Sequence, residues 1–276
     1  MSVYEDYDRA SHDYAKLRLP VGVEILIGVY TLHLGDLSQR CLVDIGCGAG
    51  IYSRPLADWF GTVRGFDISP GQIEQAVAKC ADVGNVDFQV ADAKAMPFED
   101  NSADAALASL MLHHIENESG SIENHRTVIA EAFRVLRTGG VLVLGICTQQ
   151  QVYDGAWYCR LMPRASEILA ARHPRPERLI SLAGEAGFYH SGTFVPVDEV
   201  LQGPGYFDGR GILRQEWRNG DSIFSLLSQE ELSDLLARVR AMDDQGLLDD
   251  YVRDHDEVRR NIGQVTFLAF TKGWDT

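Results

Sequence analysis

Three glycines spaced by single residues, Gly46, Gly48 and Gly50, follow an acid, Asp44, in the segment CLVDIGCGAGIYS at residues 41–53. Glycine reaches left-handed backbone without strain and lets a main chain approach a ligand where a Cβ would collide. A helix opening at such a turn offers unpaired amides and the positive end of its dipole to an anionic group. Asp67 in GFDIS and Asp92 in VADAK are two more acids, each closing an apolar run. Further along, His113 and His114 form an adjacent imidazole pair that titrates near neutral pH and could take a proton from a nucleophile. A glycine turn followed by acids at successive strand ends points to a nucleotide-like ligand. A dinucleotide would want GxGxxG, but position 51, where the third glycine of that pattern belongs, is isoleucine.

These residues need elements to hold them, and the chain supplies an alternation. Residues 20–37 place Val23, Leu26, Ile27, Tyr30 and Leu34 at helical spacing and stop at Gly35. CLVDIG then reads as a buried strand, and residues 51–60 as a helix closed by Gly61. TVRGFDIS is a second strand. SPGQIEQAVAKCADVG is a helix with Ser69 as cap, Pro70 at its first position, Gln72 completing a capping box and Gly84 ending it. VDFQVAD is a third strand and ADAALASLMLHHI a fourth. ENHRTVIAEAFRVLRTGG is a helix, and VLVLGICT a fifth strand. Strands alternating with helices predict right-handed crossovers and a parallel sheet covered on both faces, with ligands gathering at the carboxyl ends of the strands. Later, PERLISLAGEAGF predicts a helix, residues 192–197 a strand, and NIGQVTFLAFTKG a terminal strand at about 262–272.

The segments DIGCGAG, GFDIS, VADAKAMPFEDNSADAALAS and EAFRVLRTGGVLVL resemble the class I S-adenosylmethionine (SAM)-dependent methyltransferases. The closest likeness is to the small-molecule branch that includes the quinone-biosynthesis C-methyltransferases. The resemblance implies an α/β, Rossmann-like class I methyltransferase fold, with a seven-stranded, mostly parallel sheet, an antiparallel last strand and helical insertions. It implies SAM as cofactor. Gly46 and Gly48, with Cys47 between them, would face the methionyl part, and Asp67 would accept the ribose hydroxyls beside Ile68. Asp92 and Ala93 would meet the adenine amine, and Ser109 and Leu110 would lie under the methyl group. Asp44 would face the ligand or orient the loop. Tyr7 and Tyr14 are candidates for an aromatic that closes over the cofactor, and His113 and His114 for a general base.

Composition narrows the acceptor. A formal charge of −15, from 25 basic and 40 acidic residues with no basic run, disfavours a phosphate backbone, so no nucleic-acid partner is expected. With 45% hydrophobic residues the chain can bury a core. The N-terminus has no apolar signal core and residues 21–34 are too short to span a bilayer, which predicts a cytoplasmic protein with no membrane partner. Five cysteines without a CxxC pair read as buried reduced thiols, and no metal site is expected. The whole of 1–276 reads as a single methyltransferase domain: a SAM-binding core over about 36–148 and insertions over about 149–176 and 198–260. Tyr153, Trp157, Tyr158 and Met162 in one insertion, and Tyr206, Phe207 and Trp217 in the other, would line an acceptor cavity or form the insertions' own cores. The expected partner is a small-molecule substrate, with a homodimer compatible. The expected activity is methyl transfer to a small metabolite of specialised or quinone-like biosynthesis. A SAM-binding regulatory protein without catalysis and a nucleotide-dependent oxidoreductase are the rivals.

Overall fold

The chain forms the strands Cys41–Ile45 (β1), Thr62–Asp67 (β2), Val86–Val90 (β3), Ala103–Ser109 (β4), Leu136–Ile146 (β5), Phe188–Phe194 (β6) and Thr266–Lys272 (β7), of which β1, β4, β5 and β7 are the most apolar. In the computed structural model, which describes residues 18–115 and 122–273, they form one sheet in the order β3-β2-β1-β4-β5-β7-β6. Strands β1 to β5 pair in parallel, while β7 runs antiparallel to both β5 and β6. This is the Rossmann-like arrangement with a reversed last strand. The central strands β1, β4, β5 and β7 are buried along almost their whole length, which is why the parallel ones among them read as apolar runs rather than alternating ones.

Two compact units divide the chain. Among the described residues, the sheet unit comprises 22–115, 122–146, Pro174–Phe194 and 266–273. Its helices Val23–Leu34, Pro70–Lys79, Glu123–Val135 and Pro176–Glu185 cover the strands with apolar faces such as Val128, Ile129, Ala132 and Val135. Tyr30, fully buried, donates its hydroxyl to the Ala106 carbonyl at 2.8 Å. Lys272 ends β7 with its ammonium on the carbonyls of Phe133 and Leu136 and on Asn101 Oδ1.

Several boundaries differ from the sequence expectation. The run ADAALASLMLHHI is strand only to Ser109, because Leu110 adopts a left-handed φ of 54°. The chain then turns through a short 3₁₀ helix, Leu112–His114. The helix expected over 51–60 contracts to Ser53–Leu56. Strand β5 starts at Leu136 rather than at the VLVLGICT run, passing through Gly139 at φ 77°. The strand expected at 192–197 lies at Phe188–Phe194.

Among the described residues, the other unit takes 18–21, Cys147–His173 and Val195–Val265. Both expected insertions therefore contribute to it. Helices Gln149–Asp154 and Gln229–Asp244 each open with a complete capping box, Thr148 with Gln151 and Ser228 with Glu231. Trp157, Tyr158, Tyr206 and Trp217 pack with Phe224 in this unit's own core, mostly edge to face. Trp157 Nε1 donates to the Tyr206 carbonyl at 2.8 Å, so even its polar atom is used internally. Of the two roles open to these aromatics, those four take the structural one, whereas Tyr153 and Phe207 are exposed. All five cysteines are free.

Candidate functional site

The carboxyl ends of β1, β2 and β4 bring the glycine turn, Asp67 and the histidine turn into one sheet edge. Gly46, Gly48 and Gly50 all have positive φ, at 65°, 52° and 72°, a region where any other residue would be strained. Their surroundings differ. A Cβ on Gly46 would stand 3.1 Å from Cβ and Cγ of Met111, and one on Gly50 would press on Phe88 and Ala76. Gly48 is the open one, with only Gln72 Oε1 at 3.7 Å.

Asp67 fastens this turn. Its Oδ2 accepts the Gly48 amide at 3.0 Å and its Oδ1 accepts the Ser69 amide at 2.9 Å. Burial pushes its carboxyl above the usual range, and these amides oppose the shift. The acid closing β2 thus sets the shape of the loop after β1, and each carboxylate oxygen keeps acceptor capacity for a ligand. Beside it Ile68 is 57% exposed, an apolar surface next to the acid.

Asp44 does something else. It is buried in β1, and its Oδ2 accepts the Ser53 hydroxyl at 2.5 Å. Burial raises its carboxyl to about 7, with the Ser53 hydrogen bonds opposing and Asp67 adding to the rise. Asp44 therefore holds the far side of the glycine turn through the first residue of the following helix. Cys47 is buried in the loop, its thiol pushed well up by burial and by both acids.

Asp92 follows β3 and closes a turn on itself: Oδ1 accepts the Lys94 amide at 2.9 Å, and Oδ2 lies 3.6 Å from the Lys94 ammonium. Ala93 beside it is buried. At the end of β4, Ser109 Oγ is buried without a hydrogen-bond partner. Gly145 makes room for it, since a Cβ there would lie 2.7 Å from that oxygen. Leu110 binds the Gly145 carbonyl through its amide at 2.7 Å, and Met111 packs on Gly46. The His113 and His114 rings sit 3.7 Å apart, tilted by 45°. Tyr7 and Tyr14 lie outside the described residues.

Gln72, expected only as part of a helix cap, also borders the glycine turn. Its amide completes half of the expected capping box, donating to Ser69 Oγ at 3.3 Å. The return bond never forms, because Asp67 already holds the Ser69 amide. The Gln72 side chain is freed, and its Oε1 is buried beside Gly48 without a partner.

Residues 43–144 match the family described as a methyltransferase domain. The chain carries a class I methyltransferase domain. Its relatives agree. Over 179 residues it is 26% identical to a ubiquinone biosynthesis O-methyltransferase from Nitrosomonas europaea, covering 60% of this chain and 73% of that protein. Against several other curated methyltransferases the match spans about half of their length. Among solved structures, a candidate methyltransferase from an antibiotic biosynthesis pathway of Anabaena variabilis superposes with a TM-score of 0.69. That match has 22% identity and covers 92% of this chain and 98% of that one. The Haemonchus contortus phospholethanolamine N-methyltransferase 2, solved with S-adenosylhomocysteine, matches with a TM-score of 0.58 and 17% identity, over 99% of this chain and 61% of that one. The domain thus places the chain with SAM-dependent methyltransferases, and the family implies SAM as methyl donor. Among the described residues no helix is long and apolar enough to cross a membrane.

Proposed function

We propose that the protein transfers a methyl group from SAM to a small, partly apolar organic acceptor in a biosynthetic pathway. The observation that carries this reading is the bond between Asp67 and Gly48, which makes the glycine turn and the acid one preshaped cradle. The residues present fit SAM: left-handed glycines keep the cradle open at Gly48, and the buried oxygens of Ser109 and Gln72 are unpartnered.

In this reading Gly46, Cys47 and Gly48 hold the methionyl end, with the amides of the following turn facing its carboxylate. Asp67 accepts the ribose hydroxyls, Ile68 packs under adenine, and Asp92 with the Ala93 amide meets the adenine amine. Ser109 and Leu110 border the methyl group. Asp44 acts from behind, through Ser53. When bound, SAM supplies an already activated methyl on a sulfonium. The chain's own task is therefore alignment and exclusion of water. His113 or His114 takes the proton released when a hydroxyl, amine or enol carbon of the acceptor is alkylated. Similarity to quinone-pathway methyltransferases supports a biosynthetic acceptor.

Incubation with deuterated-methyl SAM and a cell extract, read by mass spectrometry, should place the label in a small organic molecule. Label confined to macromolecules would reject the acceptor class. Absence of label from a protein that binds S-adenosylhomocysteine would support the non-catalytic rival. Protection from thermal unfolding by NAD but not by S-adenosylhomocysteine would support the oxidoreductase.

A further inference from the structure

The turn that follows β4 is held by groups that methyl transfer, as read above, does not use. Leu110 is a leucine in left-handed backbone, so the turn does not stay in place by its own preference. Two side chains from the first turn of helix Glu123–Val135 reach back to its carbonyls. Asn124 Nδ2 donates to the Ile115 carbonyl at 2.6 Å. His125 Nε2 lies 2.9 Å from the Leu112 carbonyl. A carbonyl only accepts, so the proton of His125 sits on Nε2. Its Nδ1 is buried without a hydrogen-bond partner, and burial holds the ring neutral. An apolar side chain would fill this fully buried place without leaving a ring nitrogen unpaired. What histidine adds is the donor. The residues thus clamped at both ends are Leu112 to Ile115, with His113 and His114 between them. Met111, the next residue back, packs on Gly46 and passes its carbonyl to the His114 amide at 3.0 Å.

We infer that Asn124 and His125 are positioning residues, a two-point clamp that holds the turn Leu112–Ile115 where His113 and His114 meet the methyl acceptor. The inference rests on the methyltransferase reading for its functional consequence, whereas the clamp itself is a property of the fold.

Three variants of the full chain test it: Asn124→Ala, His125→Leu, which keeps bulk without a donor, and His125→Gln, which restores one. Two readouts are used. The first is amide hydrogen exchange of the peptide covering residues 110–115 against that covering the glycine turn. The second is methyl transfer to the acceptor found with deuterated SAM. In His125→Leu we expect exchange at His114 and Ile115 to rise by about tenfold or more, with the glycine turn unchanged, as for loss of one buried hydrogen bond. We expect kcat to fall about tenfold while KM for SAM stays within about twofold, and His125→Gln to recover most of kcat. Asn124→Ala should show the same split. Equal loosening of both peptides, an unchanged kcat in His125→Leu and Asn124→Ala, or no recovery in His125→Gln would overturn the positioning role. If the wild type methylates nothing, the functional reading fails, and the exchange arm alone still decides whether the clamp exists.

Discussion

Replacing Asp67 by alanine tests the cradle and the cofactor reading together. The carboxylate accepts two backbone amides, from Gly48 at 3.0 Å and Ser69 at 2.9 Å. Hydrogen bonds to a charged group contribute about 1.5–3 kcal/mol each, less what it costs to desolvate the acid. That cost is present here, since burial raises its carboxyl pKa. The site is partly open, so water can reach the freed amides. The net loss in folding stability is therefore expected at about 1–3 kcal/mol. Loss of the charged acceptor for the ribose hydroxyls should weaken the ligand by at least about tenfold, or about 1.4 kcal/mol. The loosened Gly48 should bring the total to roughly 30- to 100-fold, because the cradle must then be ordered on binding. Titration calorimetry with S-adenosylhomocysteine measures the loss of affinity and urea unfolding the loss of stability. Asp67→Asn, which keeps one acceptor oxygen, should fall between. An affinity within about twofold of wild type would remove Asp67 from the ligand site, and an unchanged stability would show that it does not fasten the loop.

Two further outcomes follow from the same geometry. Gly46→Ala puts a Cβ 3.1 Å from the Met111 side chain at a φ of 65°; strain and displacement should lower stability by about 2 kcal/mol in urea unfolding, with the Met111 turn disturbed. Burial pushes His173 down from 6.5 to about 4, against the pull of Asp221. Between those values the unfolded chain holds a proton that the folded one refuses, so stability is complete above pH 6.5 and falls as the pH drops. The loss by pH 4 should reach roughly 3 kcal/mol, and His173→Gln should flatten this part of the stability profile.

Residues close in sequence carried most of what was legible beforehand. Ser69 with Pro70 announced a helix start and Gly35 a helix end because capping is chemistry within a few residues. The apolar runs announced the strands because both faces of a central parallel strand are buried. At the end of β4 a neighbour far away intervened. Leu110 carries no glycine to announce a left-handed turn, yet its amide meets the Gly145 carbonyl and the strand ends there.

By itself the sequence determined the order of strands and helices, the glycine turn and the acids at the strand ends, since these depend on periodicity and on side chains near in the chain. Only the tertiary structure decided how those groups are used. Asp67 takes the Ser69 amide and so releases Gln72 from its cap, Asp44 spends its carboxylate on Ser53, and His125 proves to be a donor to Leu112. The aromatics of the two insertions likewise reveal their role only when Trp157 meets Tyr206, 49 residues away. Such pairings leave no periodic trace. They arise because a buried polar atom must find whichever partner the folded chain brings within about 3 Å.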